Sequence, residues 1–496
     1  MSIKSFLGKV VAKRDVYQTK KWSDKPIKTQ RDVLHYLVKT AKKTSFGKDH
    51  GFSEIKNYTD FKNSVPVRDY EGLKPYVEKI KNGELDVLWK GKPLYFAKTS
   101  GTTSGAKYIP LTKASLSYQI KAAKSALLHY IIDSGNHHFI DGKMIFLQGS
   151  PKLDKSPIVP NGRLSGIVAN FVPSYLQTNR MPSYTTNCIE DWEQKVEAII
   201  EETVSQDMRL ISGIPSWVQM YFERLQKKTG KNISTLFPNF SLFVFGGVNY
   251  EPYRKKFEEL IGKKIDSLEL YPASEGFIAF QDKQNESGLL LLLDYGIFYE
   301  FIPAAEFYDE NPNRISLEDV KLGVNYVLIL NTNAGLWGYN IGDTVEFTSL
   351  KPFRIIVTGR IKHFTSAFGE HVIAKEVEYA IKVAMQQCPE VKITEFTVAP
   401  KIKPEEGLPY HQWLIEFATD PSDMSLFASE LDKSLQSQNS YYKDLIDGKV
   451  LKQLEISKLQ IGAFRSYMKS QGKLGGQNKV PRLANDRKIA DQLKIK

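Results

Sequence analysis

Apolar residues recur every three or four positions along several segments of the chain, a spacing that places them on one face of a helix. The segment Asp191–Gln206 has this pattern, and so does a second segment that begins at Pro215 and ends at Gly230. Proline suits the first turn of a helix and glycine suits its end. Short apolar runs between such segments predict strands at Met208–Ile211, Ser241–Phe245 and Ile265–Tyr271. This alternation predicts an α/β fold with layered, largely parallel sheets.

The pattern changes in the second half of the chain. From Leu289 to Phe347 strand signals predominate, and the last quarter then shows the order helix, strand, strand, helix, strand. This order predicts a small C-terminal α+β domain. We expect the boundary near Gly359–Lys362, which divides the chain into a large domain of residues 1–360 and a small domain of residues 361–496. The basic tail Lys479–Lys496 fits either a docking strand or a solvated end.

Composition narrows the classes of protein to which the chain can belong. Its 496 residues are too many for one core, and the 42% of hydrophobic residues are ample to bury. The net charge of +12 comes from dispersed basic residues, which favours solvated faces. Two cysteines, Cys188 and Cys388, cannot form a disulfide framework, and no apolar run suits a membrane span or a secretion signal. We therefore expect a soluble, cytoplasmic protein with no membrane insertion.

The segment Lys98–Pro110 carries the most specific chemical signal in the sequence. Between Lys98 and Lys107 lie Thr99, Ser100, Gly101, Thr102, Thr103, Ser104 and Gly105. Glycines let backbone N–H groups approach an anion closely, hydroxyls add donors, and Lys107 adds a positive charge. The spacing differs from that of a Walker A loop. We interpret the segment as a phosphate-binding loop, with a flexible linker as the structural alternative.

Other catalytic and binding signatures are absent from the sequence. The eight histidines form no His-Glu-x-x-His motif, and the chain has neither a Gly-x-Ser-x-Gly elbow nor a Gly-x-Gly-x-x-Gly loop. Aromatic residues are not interleaved with Arg and Lys as in RNA-recognition motifs. A basic, non-enzymatic nucleic-acid binder remains the competing hypothesis from another class. It predicts salt-sensitive binding without nucleotide turnover.

Three further segments follow the loop in order: Tyr271-Pro-Ala-Ser-Glu275, Tyr339-Asn-Ile-Gly-Asp343 and Asn478-Lys-Val-Pro-Arg482. Together with the loop they resemble the signatures of the acyl-adenylate-forming superfamily. More closely, they resemble those of the auxin-responsive family of acyl-acid amido synthetases, whose loop has the same extra small residue before its second glycine. The resemblance runs from roughly residue 90 to 485. The last segment departs from the family pattern at its first and third residues, where Tyr and Thr are usual.

The resemblance implies an enzyme that uses ATP to activate a carboxylic acid as an acyl-adenylate. A carboxylate resists nucleophiles, and adenylation makes its acyl carbon electrophilic by supplying a good leaving group. The loop with Lys107 would hold the departing phosphates, Glu275 would hold Mg²⁺, and Asp343 would accept the ribose hydroxyls. A surface carboxylate is the alternative interpretation of Glu275, and an ordinary turn residue that of Asp343.

Residues on the adenine side follow from the same resemblance. Tyr271, in the motif that includes Ser274, would lie against the adenine, although a core position also fits this tyrosine. Gly246 and Gly247, after a predicted strand, resemble the backbone turn that the superfamily places beside the adenine. A Gly pair in this position is also typical of a tight turn.

The small domain is expected to swing between the two half-reactions. Gly359–His363 resembles the hinge of the superfamily, and Arg360 within it would reach the ribose or a phosphate. Lys479 matches the C-terminal lysine that family members place on the adenylate or the attacking carboxylate. Lys479 and Lys107 are therefore the candidate catalytic residues.

Two enzyme hypotheses share the adenylation step and differ in the second nucleophile. Attack by an amine, expected to be that of an amino acid, gives an amide, whereas attack by the thiol of coenzyme A gives a thioester. The extra loop residue and the Tyr-x-x-Ser-Glu form favour the amide. We expect the acyl pocket in the large domain, with Gly162–Phe171 and Ser212–Phe222 as candidate segments.

Overall fold

The computed structural model describes residues 3–102, 105–154, 156–171, 177–247, 250–361, 364–365, 367–370, 372–471 and 480–495. Among the candidate site residues, Thr103, Ser104 and Lys479 lie outside these ranges. None of the helices within the ranges is both long enough and apolar enough to cross a lipid bilayer.

Proline and glycine mark helix ends in the structure, as the sequence predicted. The helices of the described ranges are α1 (Ile3–Ser23), α2 (Pro26–Ala41), α3 (Ser45–Asp49), α4 (Tyr58–Ser64), α5 (Tyr70–Lys81), α6 (Lys113–Ser134), α7 (Leu164–Ala169), α8 (Tyr184–Asn187), α9 (Trp192–Thr203), α10 (Pro215–Thr229), α11 (Ile233–Leu236), α12 (Glu251–Ile261), α13 (Ala374–Gln387), α14 (Met424–Gln438), α15 (Ser440–Asp447) and α16 (Ala463–Ser470). Pro215 opens α10, and Gly230 ends it in a left-handed conformation. The Asp191 carboxylate caps α9 by accepting from the backbone N–H of Gln194.

The strands divide into a long central sheet and three smaller ones. They are β1 (Tyr95–Thr102), β2 (Gly105–Leu111), β3 (Lys143–Phe146), β4 (Asn161–Gly162), β5 (Arg180–Met181), β6 (Met208–Ser212), β7 (Leu242–Gly246), β8 (Asp266–Ala273), β9 (Gly276–Phe280), β10 (Leu289–Leu291), β11 (Ile297–Pro303), β12 (Ile315–Ser316), β13 (Asn325–Thr332), β14 (Tyr339–Leu350), β15 (Phe353–Arg360), β16 (Phe364–Thr365), β17 (Val372–Ile373), β18 (Lys392–Lys401), β19 (Tyr410–Thr419) and β20 (Glu455–Lys458). The smaller sheets have the orders β2-β1-β4, β16-β17 and β18-β19-β20.

The central sheet has 12 strands in the order β12-β11-β13-β14-β15-β10-β9-β8-β7-β6-β3-β5. Strands β5, β3, β6, β7 and β8 run parallel, as the alternation of strands and helices predicted. From β8 to β12 every neighbouring pair is antiparallel. The strand-rich second half therefore extends the same sheet, and a fold with layered α/β sheets is confirmed.

The parallel strands β3, β6, β7 and β8 all end at one edge of the central sheet. Ligand sites in α/β proteins form at this carboxyl edge, because the loops that follow the strands open there. The loops here begin at Leu147, Gly213, Gly247 and Ser274. We therefore expect the candidate site residues to lie together at this edge.

The C-terminal unit has the predicted order α13, β18, β19, α14, β20, to which α15 and α16 add two helices that the sequence pattern did not indicate. Of the two interpretations of the tail, the docking strand is confirmed for the described residues. The backbone N–H of Val398 donates to the carbonyl of Arg482 at 3.0 Å, and the N–H of Ala484 donates back to Val398 at 2.8 Å. Leu483 between them is fully buried.

The hydrophobic core has two large clusters. The first joins the N-terminal helices to the antiparallel half of the sheet. The second joins α9, α10 and α12 to the C-terminal unit, in which Phe368 and Trp413 are fully buried. A hydrogen bond of 3.0 Å from the Tyr253 hydroxyl to the Ala367 carbonyl crosses between the two units. The small C-terminal domain is therefore packed against the parallel half of the sheet.

A buried glutamine attaches α2 to the antiparallel half. The Gln30 side chain is 2% exposed, and its amide nitrogen donates to the carbonyls of Leu293 and Ile297 at 2.8 and 2.9 Å. Its amide oxygen accepts from the N–H of Tyr299 at 2.9 Å. One side chain therefore satisfies three backbone groups where β11 begins.

We expect Gln30→Leu to lower the free energy of unfolding by about 3 kcal/mol, because three buried backbone groups lose their partner. Denaturant unfolding followed by tryptophan fluorescence measures the change. Gln194→Leu, an exposed glutamine on α9, is the matched control and should shift stability by less than about 0.5 kcal/mol. Equal effects of the two substitutions would show that the Gln30 contacts contribute nothing.

Candidate active site

The segment predicted to bind phosphate folds as a β-hairpin. Ser100, Gly101 and Thr102 continue β1, and Gly105 begins β2. The two strands pair antiparallel, so that Thr99 lies opposite Lys107, and the register shifts between Thr99 and Thr102. The alternative of a flexible linker is therefore wrong for the described residues. A shifted register turns backbone groups away from the ladder, which suits a strand pair that must also bind an anion.

Glu275 lies in the turn between β8 and β9, directly after Ser274. Its side chain is 8% exposed, so the interpretation as a surface carboxylate is wrong. The side-chain amide of Gln119 on α6 donates to the Ala273 carbonyl at 2.8 Å and so fixes the turn. The position at the carboxyl edge of β8 agrees with the sequence prediction.

Two hydrogen bonds cross between the Tyr271–Glu275 and Tyr339–Asp343 motifs. The Tyr271 hydroxyl donates to the Asp343 carboxylate at 2.6 Å. The Tyr339 hydroxyl, from the other motif, donates to the Glu275 carboxylate at 3.4 Å. Each motif therefore supplies the tyrosine that orients the carboxylate of the other, and segments 64 and 72 positions apart in the chain meet in one site.

Burial keeps the Tyr339 hydroxyl protonated. Its side chain is fully buried, and desolvation, followed by the nearby Glu275 carboxylate, raises the pKa of Tyr339 well above its ordinary value. A phenol that stays protonated is an obligatory donor toward Glu275. Tyr339 was part of the recognised motif but was not among the candidate site residues, since its partner is visible only in the folded chain.

Asp343 is 6% exposed and lies within β14, so its alternative interpretation as an ordinary turn residue is wrong. The preceding Gly342 has a φ of +91°, a conformation that side chains rarely adopt. Backbone pairing places Arg360 of β15 directly opposite Asp343. The two candidate ribose contacts are therefore neighbours across one strand pair.

Gly246 marks a close approach of two strands at the same edge. A Cβ at this position would lie 2.4 Å from the Leu270 carbonyl oxygen, so a side chain cannot be accommodated without movement of β8. Gly247, which follows at the strand end, has a φ of +77°. The pair forms the sharp turn after β7 that the sequence predicted, one strand away from Tyr271.

A buried polar network holds the start of β14. The Gly338 N–H donates to the Asn331 side chain at 2.6 Å, and the Asn331 amide donates to Glu300 at 2.8 Å. Glu300 in turn pairs with Arg314 at 2.5 Å, and all three side chains are buried. Because Gly338 directly precedes Tyr339, these residues fix the position of Tyr339. The sequence offered no signal for them, because Glu300 and Asn331 are isolated polar residues within apolar strands and Arg314 lies just before β12.

Lys195 of α9 is a second buried polar group that sequence reasoning missed. Its ammonium donates to the Asn187 carbonyl at 2.7 Å, and the side chain is 3% exposed. Burial, followed by the positive charge of Arg163, lowers the pKa of Lys195 from 10.5 to about 8. Lys195 also lies 3.5 Å from the Gln148 carbonyl, in the loop after β3 at the carboxyl edge.

Comparison with protein families gives three matches along the chain. The N-terminal domain of the GH3 family matches residues 16–161 and 161–265, the central domain matches 290–360, and the C-terminal domain matches 375–488. These matches cover well over half of the chain, and Tyr271, Ser274 and Glu275 lie between the N-terminal and the central match. The chain belongs to the GH3 family. The family predicted from the sequence motifs is therefore confirmed.

Relatives of this GH3 chain are distant in sequence. It is 22% identical to jasmonoyl–L-amino acid synthetase JAR4 of Nicotiana attenuata, in a match that covers 64% of this chain and 66% of the relative, just under two thirds. It is 21% identical to indole-3-acetic acid-amido synthetase GH3.3 of Arabidopsis thaliana, over 94% of this chain and 90% of the relative.

Two solved structures share the fold of this GH3 chain. One is GH3.15 acyl acid amido synthetase in complex with 2,4-DB, with a TM-score of 0.63, 17% identity, and coverage of 97% of this chain and 95% of the other. The second is 2-hydroxyisobutyryl-CoA ligase in complex with 2-HIB-AMP and CoA, with a TM-score of 0.61, 13% identity, and coverage of 95% and 92%. The fold is thus common to an amide-forming and a thioester-forming enzyme.

The lowered pKa of Lys195 predicts a pH dependence of stability. Between pH 8 and 10.5 the unfolded chain holds a proton that the folded chain has released, so stability rises with pH across this window. We expect Lys195→Met to remove this rise, which amounts to roughly 3 kcal/mol at about 1.36 kcal/mol per pKa unit. Unfolding at pH 7.5 and 10 measures it. Lys124→Met, an exposed lysine on α6, should keep the wild-type pH dependence, and a persistent rise in Lys195→Met would contradict the assignment.

Proposed function

We propose that this GH3-family chain is a ligase that joins a carboxylic acid to the amino group of an amino acid. In the first step a carboxylate oxygen of the acid attacks the α-phosphorus of ATP, and the bond to pyrophosphate breaks. In the second step the amine lone pair forms the C–N bond at the acyl carbon, AMP leaves, and the nitrogen loses its proton. The reciprocal tyrosine–carboxylate pair at the carboxyl edge is the observation that carries this proposal, together with family membership.

The reaction requires crowded negative charge to be neutralised while the acid is held in line with the α-phosphate. We assign the phosphates to the β1–β2 hairpin, with donors from Thr99 through Gly105 and the positive charge of Lys107. Register across the hairpin supports a joint action, since Thr99 and Lys107 lie opposite each other.

Two cysteines without a disulfide, Cys188 and Cys388, support a reducing, ATP-rich cytoplasm as the location.

The nucleoside is assigned to the residues around the two motifs. Tyr271 and Ser274, with the Gly246-Gly247 turn, line the adenine side, and Asp343 with Arg360 takes the ribose. The Tyr271 hydroxyl donates to the Asp343 carboxylate at 2.6 Å and so holds this carboxylate in one orientation. This geometry supports a carboxylate that is already oriented before ATP binds.

The residues also fit a magnesium ion at Glu275. Within the part of the chain that the structure describes, no three His, Cys, Asp or Glu side chains cluster as a metal site. A single oriented carboxylate is nevertheless a suitable protein ligand for Mg²⁺, which binds through one or two carboxylates and the phosphates of its substrate. When bound, the ion would neutralise charge on the phosphates of ATP.

We propose a division into a large domain of residues 1–360 and a small, mobile domain of residues 361–496. The hinge near residue 360 and the site role of Lys479 follow from the sequence resemblance. The contacts between Tyr253 and Ala367 and between the second core cluster and the C-terminal unit describe one orientation of the two domains. We assign Lys479 to the adenylate on the basis of this resemblance alone.

Thioester formation with coenzyme A is the alternative second step. The fold does not decide between the two, because both solved structures have nearly equal TM-scores of 0.63 and 0.61. The sequence relatives favour the amide, since both are named as amino acid or amido synthetases. Acid-dependent exchange of pyrophosphate into ATP tests the first step, and addition of amino acids or coenzyme A to the same assay tests the second.

We expect Lys107→Ala and Glu275→Gln each to lower the rate of acid-dependent ATP–pyrophosphate exchange by about 100-fold or more, because each removes a charge that the transition state requires. Circular dichroism should show an unchanged fold. Lys90→Ala and Glu286→Gln, at exposed positions, are the matched controls and should retain full exchange. Wild-type exchange in either site variant would remove that residue from the proposed site.

The link between the two motifs is tested by a double-mutant cycle. Asp343→Asn should raise the KM for ATP by about tenfold or more, and Tyr271→Phe by about fivefold, because the first loses a charge-assisted hydrogen bond and the second a neutral donor. In the double variant the rise in the KM for ATP should be smaller than the product of the two single rises, since Tyr271 acts through Asp343. Tyr17→Phe, an exposed tyrosine, is the control. Independent effects would mean that the hydroxyl does not orient the carboxylate.

A further inference from the structure

Arg163 lies where three parts of the molecule meet. It follows β4, whose Gly162 pairs with Ala97 of β1 in parallel register, so Arg163 stands beside the base of the phosphate hairpin. Its side chain packs against the loop after β3, since a Cβ at Gly149 would be 2.8 Å from the Arg163 Cδ. This loop opens at the carboxyl edge of the central sheet. In strand order β3 is separated from β8, which carries Tyr271, by β7 and β6.

The small C-terminal domain supplies a carboxylate to this arginine. The guanidinium donates to the Asp444 carboxylate of α15 at 2.5 Å and lies 4.5 Å from the centre of the Tyr441 ring. The Arg163 and Asp444 side chains remain 33% and 37% exposed. An anion from solution can therefore reach the same guanidinium when the small domain moves.

We propose that Arg163 binds the α-carboxylate of the amino acid acceptor and that Asp444 occupies this position in the domain orientation described here. The inference rests on the proposed function, because it assigns the second substrate of that reaction. A planar guanidinium binds a carboxylate through two parallel hydrogen bonds, which gives direction as well as attraction. Movement of the small domain withdraws Asp444 and opens the site for the acceptor.

The position of Arg163 also favours the reactive form of the acceptor. An amine attacks only when it is neutral, and in an α-amino acid the nitrogen is separated from the carboxylate by a single carbon. An acceptor bound at Arg163 therefore holds its amino group within the positive field of the guanidinium, which disfavours the ammonium form. The same charge already acts on the nearby Lys195 amine, whose pKa is lowered to about 8 by burial and by Arg163.

The competing interpretation is that Arg163 and Asp444 merely fasten the two domains together. The two interpretations differ in the sign of an effect. If Asp444 competes with the substrate, its removal strengthens acceptor binding and removal of Arg163 weakens it. If the pair is only a fastening, the loss of either partner breaks the same contact, so both variants change the kinetics in the same direction.

The experiment measures the KM for an amino acid in amide formation at saturating ATP and acid, for wild type, Arg163→Gln and Asp444→Asn. We expect the KM to rise about tenfold or more in Arg163→Gln and to fall severalfold in Asp444→Asn. The corresponding amino acid amide, which has the amine but no carboxylate, should show less than a twofold difference between the same proteins. Arg163→Lys, which keeps the charge but loses the planar fork, should lie between wild type and Arg163→Gln. Lys152→Gln is the control and should match wild type. Lys152 lies three residues after Gly149 and forms a solvent-exposed ion pair with Glu190.

A change in the same direction for both variants, or an equal effect on the amino acid and its amide, would overturn the assignment of Arg163. Failure of the proposed function gives a different result. In that case the wild-type protein exchanges pyrophosphate but forms no amide with any amino acid, whereas coenzyme A yields a thioester. Amide formation with a KM that does not depend on Arg163 would reject this inference alone.

Discussion

The architecture of the site depends on two hydrogen bonds that run in opposite directions between two chain segments. Tyr271 donates to Asp343, and Tyr339 donates to Glu275, so the turn after β8 and the start of β14 cannot shift independently. Both carboxylates are buried, and a buried carboxylate is stable only with such partners. The cost of burying them is therefore offset by the contacts that also fix their orientation.

This constraint explains why so much of the surrounding structure is polar and buried. Asn331, Glu300 and Arg314 hold the backbone immediately before Tyr339, and Gln119 holds the turn that carries Glu275. None of these side chains needs to touch a substrate. They act as positioning residues, which an enzyme requires because small errors in the placement of a charged ligand cost much of its catalytic benefit.

The second substrate is where the members of this fold diverge. The structure of an amido synthetase and that of a coenzyme A ligase resemble this chain about equally, so the fold alone does not decide the second nucleophile. In this chain Arg163 follows β4, which pairs with β1 of the hairpin, and packs against the loop after β3. The same side chain contacts α15 of the small domain. Placing acceptor recognition at a contact between domains couples the arrival of the second substrate to domain movement.

The sequence by itself determined the elements and the family. Pro215 and Gly230 marked the ends of α10, apolar runs marked β6, β7 and β8, and the spaced motifs singled out the segment Lys98–Pro110, Glu275 and Asp343 as candidates, because all of these depend on neighbouring residues in the chain. Only the tertiary structure decided that the strand-rich half continues the parallel sheet, that Tyr339 serves Glu275, and that Arg163 meets Asp444. These are pairings between residues far apart in the chain, and the spacing of polar and apolar residues contains no information about which distant partner a side chain will find.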